Sequence, residues 1–316
     1  MNSAVNIPVN YKTAIKAWLM MARPPFHLVG VLPFFLGSVL AWRVSGTFNW
    51  DVFLWGTLAV ILIMLATYLA GEYYDFEGDR LSSQMERNIF SGGSQALVKD
   101  MVPRQHARIG SYVSLILAGI IGVLLQFHYK TGPWTIPLGL IGMITGFFYS
   151  TEPIRWVKRG IGEILIGFSY GWLPVAASFY LQTAHFAPLV HWMSLPIGLT
   201  IFNVVFINEF PDYPADLITK KATLVVRFGK KASSYLYSVL CIGALISFPF
   251  SIKAGLHPYT IILCLPVVVL SLMTTSGMLK GRYADRVALE KMCGITILIN
   301  LFYSSSFILG LLIWGL

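Results

Sequence analysis

Nine apolar runs, at about 16–42, 49–72, 106–127, 133–150, 161–181, 187–208, 232–251, 258–279 and 291–315, fill most of this 316-residue chain. Each approaches the ~20 residues a helix needs to cross a hydrocarbon core of about 30 Å. With 56% of residues hydrophobic and only 12% charged, a soluble core of this length could not bury them. Lipid is therefore the expected solvent, and helices satisfy every backbone polar group in it. The expected fold is all-α: a polytopic membrane protein whose nine transmembrane helices form a bundle, as a single membrane domain over 1–316.

The net charge of +9 does not point to nucleic acid once its placement is considered. Under the nine-span reading Lys12, Lys16 and Arg23 share one side of the membrane with the second, fourth, sixth and eighth connections. The second carries Arg80, Arg87, Lys99, Arg104 and Arg108, and the fourth Arg155, Lys158 and Arg159. The sixth carries Lys220, Lys221, Arg227, Lys230 and Lys231, and the eighth Lys280, Arg282, Arg286 and Lys291. Only Arg43, Lys130 and Lys253 fall opposite. Short loops rich in Lys and Arg stay cytoplasmic, so the expectation is a cytoplasmic-membrane protein with its N-terminus inside and its C-terminus outside. Cys241, Cys264 and Cys293 lie within apolar runs without close partners and read as packing residues. The N-terminal eighteen residues lack the pattern of a removable signal peptide.

Against this apolar background stand two acidic patterns, Glu72-x-x-Asp75-x-x-x-Asp79 and Glu209-x-x-Asp212-x-x-x-Asp216, the second repeating the first 137 positions later. Each closes an apolar run, the second and the sixth, and each precedes a basic connection. The simplest account is an internal repeat, about 16–150 and 161–280, of two four-helix halves plus a ninth helix, with a site at the interface of the halves. At 100° per residue, positions i, i+3 and i+7 fall within about 60° of one another, so each triplet puts its carboxylates on one helix face. Such groups cost about 2.5–3.5 kcal/mol each near the bilayer centre and less towards the interface, so they are usually paired, hydrated or metal-bound. Taken singly, each acid reads as an interfacial group paired with neighbouring Arg and Lys. The matched spacing at corresponding helix ends favours a shared role. Mg²⁺ is typically held by one or two carboxylates together with substrate phosphates and water, so a diphosphate bridging the two clusters is the natural ligand. Glu77 falls off the shared face and reads as solvated surface.

The stretch Tyr68-Leu-Ala-Gly-Glu-Tyr-Tyr-Asp-Phe-Glu-Gly-Asp79 resembles the first aspartate-rich motif of the UbiA superfamily of intramembrane prenyltransferases. Asn208-Glu-Phe-Pro-Asp-Tyr-Pro-Ala-Asp216, with Lys220-Lys-Ala-Thr-Leu-Val-Val-Arg-Phe-Gly229 after it, resembles the second. Arg23-Pro-Pro, Tyr149-Ser-Thr-Glu-Pro153 and Gly160-Ile-Gly-Glu163 are similar to residues at corresponding places, and the likeness covers essentially the whole chain. Phe90-Ser-Gly-Gly-Ser94 and the Lys221–Gly229 pattern are similar to the menaquinone-type branch, whose members prenylate 1,4-dihydroxy-2-naphthoate. The first motif of the family usually begins Asn-Asp, where this chain has Gly71-Glu72, and Glu209 again replaces Asp; both glutamates keep an oxygen ligand with longer reach.

The resemblance implies a prenyltransferase that uses Mg²⁺ to ionise an allylic isoprenyl diphosphate and passes the prenyl group to an aromatic acceptor. It implies Asp75, Asp79, Asp212 and Asp216 as catalytic and metal-binding residues, with Glu72 and Glu209 as further metal ligands. Arg155, Lys158, Lys220, Lys221 and Arg227 are placed to grip phosphate oxygens, with Asn208, Tyr149 and Arg23 as further substrate contacts. For each basic residue alone, a topology signal or a snorkelling side chain serves equally well. Phe147, Phe148, Tyr149, Tyr170, Phe202 and Phe206 are candidates for walls that stabilise a carbocation by cation–π attraction, or for plain packing. The partners expected are the two substrates and membrane lipid, with no nucleic acid and no obligatory protein partner. Two other readings compete: a non-quinone lipid or pigment acceptor, and a secondary transporter. Transporter sites lie near the midplane, whereas these acids close their spans on the basic side.

Overall fold

The structure, a computed structural model, describes residues 11–85, 88–90 and 92–316; Arg87, Ser91 and the first ten residues, on which parts of the charge, turn and leader readings rest, lie outside them. Among the described residues every regular element is helical. Seven stretches are long and apolar enough to cross a membrane: Tyr11–Ser45, Trp50–Tyr74, Arg104–His128, Gly162–Thr183, Pro188–Ile218, Leu224–Lys253 and Arg286–Trp314. This is an integral membrane protein. Two shorter apolar helices, Thr135–Phe147 and Leu265–Leu279, stand where the fourth and eighth spans were expected.

The elements are α1 (Tyr11–Ala22), α2 (Pro24–Ser45), α3 (Trp50–Tyr74), α4 (Phe76–Ser83), α5 (Arg104–Val123), α6 (Thr135–Phe147) and α7 (Gly162–Gly167). After them come α8 (Leu173–Thr183), α9 (Pro188–Ile218), α10 (Leu224–Lys253), α11 (Thr260–Leu263), α12 (Leu265–Leu279) and α13 (Arg286–Trp314). The first apolar run is thus two helices and not one. Arg23 between them is left-handed, with φ 47° and ψ 57°. The residue before a proline is disfavoured in the helical region, while Pro24 and Pro25 suit a helix start, so Arg23-Pro-Pro writes the break into the sequence. A π-helical turn at Phe168–Trp172 joins α7 to α8.

Prolines inside membrane helices free carbonyls that lipid cannot satisfy. In α9, Pro196 frees the Trp192 carbonyl, and Ser251 Oγ donates to it at 3.0 Å. Pro211 frees the Ile207 carbonyl, and Cys293 Sγ lies 3.9 Å from it as a weak donor. Cys293 therefore does more than fill space. Helices meet through small residues, as expected where lipid gives no hydrophobic drive to association. A Cβ on Gly37 of α2 would stand 2.2 Å from the Val175 carbonyl oxygen of α8, and one on Gly171 would stand 2.3 Å from Gly198 Cα of α9. Leu36, Phe179, Met193, Phe248 and Phe307 join α2, α8, α9, α10 and α13 in the largest core.

Arg43, an exception to the charge bias, has a structural role. Its Nε and Nη2 donate to the Leu311 and Leu312 carbonyls at 2.6 and 2.7 Å, so it caps the open end of α13. At the other end of the bundle α3, α4 and α9 converge, and with them the acidic triplets.

Candidate active site

Glu72 closes α3 with both carboxylate oxygens engaged. Oε1 accepts from Arg23 Nη2 and from the Ser94 N–H, each at 2.8 Å, and Oε2 accepts from Ser94 Oγ at 2.7 Å. A guanidinium plus two further donors compensate this buried charge and tie the α1–α2 break to the end of α3. Asp75 interrupts the helix, at φ −93° and ψ 7°, so the first triplet does not lie on one continuous helix as expected. Ser150 Oγ donates to Asp75 Oδ2 at 2.6 Å and Arg155 Nη2 to Oδ1 at 2.9 Å, which fixes the carboxylate at the break. Asp79 lies in the first turn of α4, where the helix dipole favours an anion. Burial, and after it the charges of Glu72 and Asp75, push the Asp79 carboxyl well above the usual carboxylate range.

The second triplet lies wholly on α9. Asp216 Oδ1 is 4.0 Å from Lys221 Nζ. Burial works against the Lys221 charge, yet Asp216 and then Asp75 hold the ammonium well above the ordinary lysine range. Glu209 Oε2 accepts from the Val225 N–H at 3.5 Å, and Glu163 Oε1 from the Leu224 N–H at 2.7 Å. The two glutamates thereby serve free amides in the first turn of α10. No role for Glu163 was read from the sequence beyond its place in Gly160-Ile-Gly-Glu163; an acid opening an apolar run was the available signal, and the structure buries it completely.

The turn after α4 touches both triplets. The Gly92 N–H donates to Asp212 Oδ2 at 3.3 Å, Ser82 Oγ donates to Oδ1 at 3.2 Å, and Ser94 holds Glu72. Gly93 sits at φ 64°, and a Cβ there would stand 2.1 Å from Asp79 Oδ2, so only glycine fits.

These elements enclose a cavity of about 240 Å³ whose wall includes Arg23, Asp75, Asp79, Tyr149, Asn208, Glu209, Asp212, Asp216 and Lys221. A second cavity of about 320 Å³ shares the four aspartates and Lys221 and adds Arg155 and Lys158. Lys220 and Arg227 line neither. Lys220 is exposed at a left-handed turn, and Arg227 Nε donates to the Ala222 carbonyl at 2.8 Å. Tyr149 and Tyr170 line the first cavity, joined by Phe26, Tyr68 and Phe90, which sequence reading missed. Phe202 and Phe206 pack in sequence with Phe210, and Phe147 packs between Tyr112 and Phe148, away from these walls. A third cavity, about 380 Å³ and almost wholly apolar, lies among α2, α3, α5, α6 and α8 and shares Thr67 and Tyr170 with the first.

The donor set suits Mg²⁺. Five carboxylates line the first cavity together with Arg23 and Lys221. Asn208 Oδ1 and Glu209 Oε1 are buried without a hydrogen-bond partner. Among the described residues no three His, Cys, Asp or Glu side chains stand close enough to hold a metal by themselves.

Residues 30–305 match the family described as the UbiA prenyltransferase family. The chain belongs to that family. It is an enzyme of the alkyl-transferring kind, and the transporter reading falls away. The family member is 28% identical over 240 residues to the 2-carboxy-1,4-naphthoquinone phytyltransferase of Synechocystis sp., covering 73% of this chain and 74% of that one. It is 26% identical over 300 residues to the 1,4-dihydroxy-2-naphthoate octaprenyltransferase of Escherichia coli, covering 94% and 95%. A solved UbiA homolog from Archaeoglobus fulgidus, bound to GPP and Mg²⁺, superimposes with a TM-score of 0.63 at 14% identity over 92% of this chain and 99% of that one. At that identity the likeness concerns the fold alone.

Proposed function

We propose that the protein transfers a prenyl group from an isoprenyl diphosphate to an aromatic acceptor of the dihydroxynaphthoate type, with Mg²⁺ between the two acidic triplets. The observation that carries this reading is that Asp75 and Asp79 of the first triplet and all three acids of the second line one cavity, Glu72 being held outside it by Arg23 and Ser94, and that this cavity abuts a large apolar one. The names of the relatives in Synechocystis and Escherichia coli support the acceptor class.

Asp75, Asp79, Asp212 and Asp216 would hold the ion, with Asn208 and Glu209 beside them. Bound there, Mg²⁺ would neutralise charge on the diphosphate, whose departure creates the allylic cation. Lys221, Arg155 and Lys158 border the same space and would contact phosphate oxygens. The electron pair of the breaking C–O bond leaves with the diphosphate, a ring carbon of the acceptor supplies the pair for the new C–C bond, and that carbon then releases its proton, whose bonding pair restores the aromatic ring. Tyr68, Tyr149 and Tyr170 line the acidic cavity, and Tyr170 lines the apolar one as well; their rings would favour a cation without attacking it. The apolar lining keeps water from intercepting it.

Nine crossings in two halves are part of this proposal. The contacts of α2 with α3, α3 with α5 and α5 with α6 recur as α7 with α9, α9 with α10 and α10 with α12, leaving α13 over. The charge bias would put the acids at the cytoplasmic face, with N-terminus inside and C-terminus outside.

The test is incubation of purified protein with labelled prenyl diphosphates, Mg²⁺ and a panel of aromatic and lipid acceptors, with products identified by mass. Prenylated naphthoate is the expected product. A product formed only on a pigment or lipid acceptor would replace the acceptor assignment.

A further inference from the structure

Arg227 was expected to grip a phosphate, yet it is exposed and lines neither acidic cavity. Its place is nonetheless fixed. Gly229, at φ 75° and ψ 158°, sets Leu224–Phe228 apart from the rest of α10, and Glu163 and Glu209 hold the first two amides of that turn. Arg227 Nε donates to the Ala222 carbonyl at 2.8 Å, and the side chain lies over Gly160, whose φ of 70° and missing Cβ leave the room it occupies. The next residue back, Arg159, is fixed in the same way: Nε donates to the Ile154 carbonyl at 2.6 Å and Nη2 to the Pro153 carbonyl at 3.4 Å.

Both guanidiniums are exposed, and among the described residues neither meets a carboxylate. Glu152, the one acid in residues 152–160, is taken by Arg155 Nη1 at 3.2 Å, and residues 217–231 carry five Lys and Arg and no acid. A topology signal needs charge alone, without orientation. Guanidinium forks held by backbone carbonyls are in addition preorganised for the oxygens of a phosphate. Their level in the fold decides whose phosphate. Arg159 lies three residues before the span Gly162–Thr183, Arg227 lies at the start of the span Leu224–Lys253, and Ile161, Ile164 and Phe228 beside them are exposed and apolar. A phosphate carrying an apolar body fits that boundary, whereas a free phosphate gains nothing from the apolar side chains. The uncompensated positive charge favours a lipid of net negative charge over a zwitterionic one.

We infer that Arg159 and Arg227 form a clamp for the headgroup phosphate of an anionic phospholipid on the basic side of the membrane. The lipid joins two segments that serve the candidate site: residues 152–160 present Arg155 to Asp75, and the turn after α9 presents Lys221 to Asp216. Lipid binding rests on the membrane fold alone; its effect on turnover rests on the prenyl-transfer reading above.

Delipidated protein is titrated with phosphatidylglycerol, phosphatidylcholine and inorganic phosphate, with bound lipid counted by native mass spectrometry and the unfolding temperature followed in detergent. Phosphatidylglycerol is expected to bind the unsubstituted chain and raise its unfolding temperature. Its affinity is expected to fall about fivefold in each of Arg159→Gln and Arg227→Gln, with Arg227→Lys, which keeps the charge and loses the fork, in between. Equal binding of phosphatidylcholine, equal stabilisation by inorganic phosphate, or undiminished affinity in both glutamine variants overturns the clamp. A photoreactive phosphatidylglycerol tests the unsubstituted chain without any substitution: crosslinks at residues 154–164 and 222–231 are expected, and crosslinks confined to other segments overturn the site. In nanodiscs, phosphatidylglycerol in place of phosphatidylcholine is expected to raise turnover about twofold or more, and Arg159→Gln to abolish that difference. Equal turnover in the two lipids overturns the link to the site. If phosphatidylglycerol binds at these residues but no prenyl group is transferred in either bilayer, the functional reading fails and the clamp stands.

Discussion

Gly93 shows how tightly single residues are specified here. A Gly93→Ala substitution forces an L side chain into a left-handed position, at roughly 1–2 kcal/mol, and drives its methyl into the Asp79 carboxylate. Transfer activity is expected to fall more than tenfold while detergent-solubilised protein still unfolds cooperatively near the temperature of the parent; a wild-type rate would remove the turn from the site. Asp79 carries a second expectation. Its carboxyl is pushed upward by burial and neighbouring charge, so protons compete with metal there, and apparent Mg²⁺ affinity should strengthen as pH rises. Titrating Mg²⁺ dependence at several pH values checks this, and a pH-independent affinity would contradict it. The aspartates were legible because their spacing recurs. The directions of Lys220 and Arg227 were not, since proximity to a motif says nothing of which way a turn aims a side chain, and Lys220 sits at φ 54°. Nor could spacing show that Glu209, with Glu163, serves the start of α10.

At the scale of elements, hydropathy located the helices but not their interruptions. Arg23-Pro-Pro contains the α1–α2 break, yet an apolar run from 16 to 42 reads through it. Asp75 breaks α3 from α4 through its backbone conformation, with Ser150 and Arg155 brought from far along the chain to hold the carboxylate. The contacts that hold helices together were equally hidden, because a glycine in an apolar run has the same appearance whether it faces a backbone or a void. Gly171 faces a backbone. Gly171→Leu should destabilise by about 1–3 kcal/mol through overpacking against Gly198, read as a lowered unfolding temperature in detergent. A variant as stable as the parent would mean that α9 can move away freely.

For the whole molecule, the distribution of charge predicted one basic face, and the exception at Arg43 is explained by its capping of α13. Cysteines introduced in place of Lys130 and Lys158 test the orientation. In intact cells or right-side-out vesicles an impermeant thiol reagent should label the first and spare the second; the reverse would invert the topology. The central claim is that Glu72–Asp79 and Glu209–Asp216, distant in sequence, form one site for a metal-bound diphosphate. Binding of a labelled prenyl diphosphate, measured with and without Mg²⁺ for the parent, Asp75→Asn and Asp212→Asn, tests it most directly. The account predicts Mg²⁺-dependent binding in the parent and loss of that dependence, together with loss of transfer, in each folded variant. Mg²⁺-dependent binding and turnover retained in both variants would contradict it.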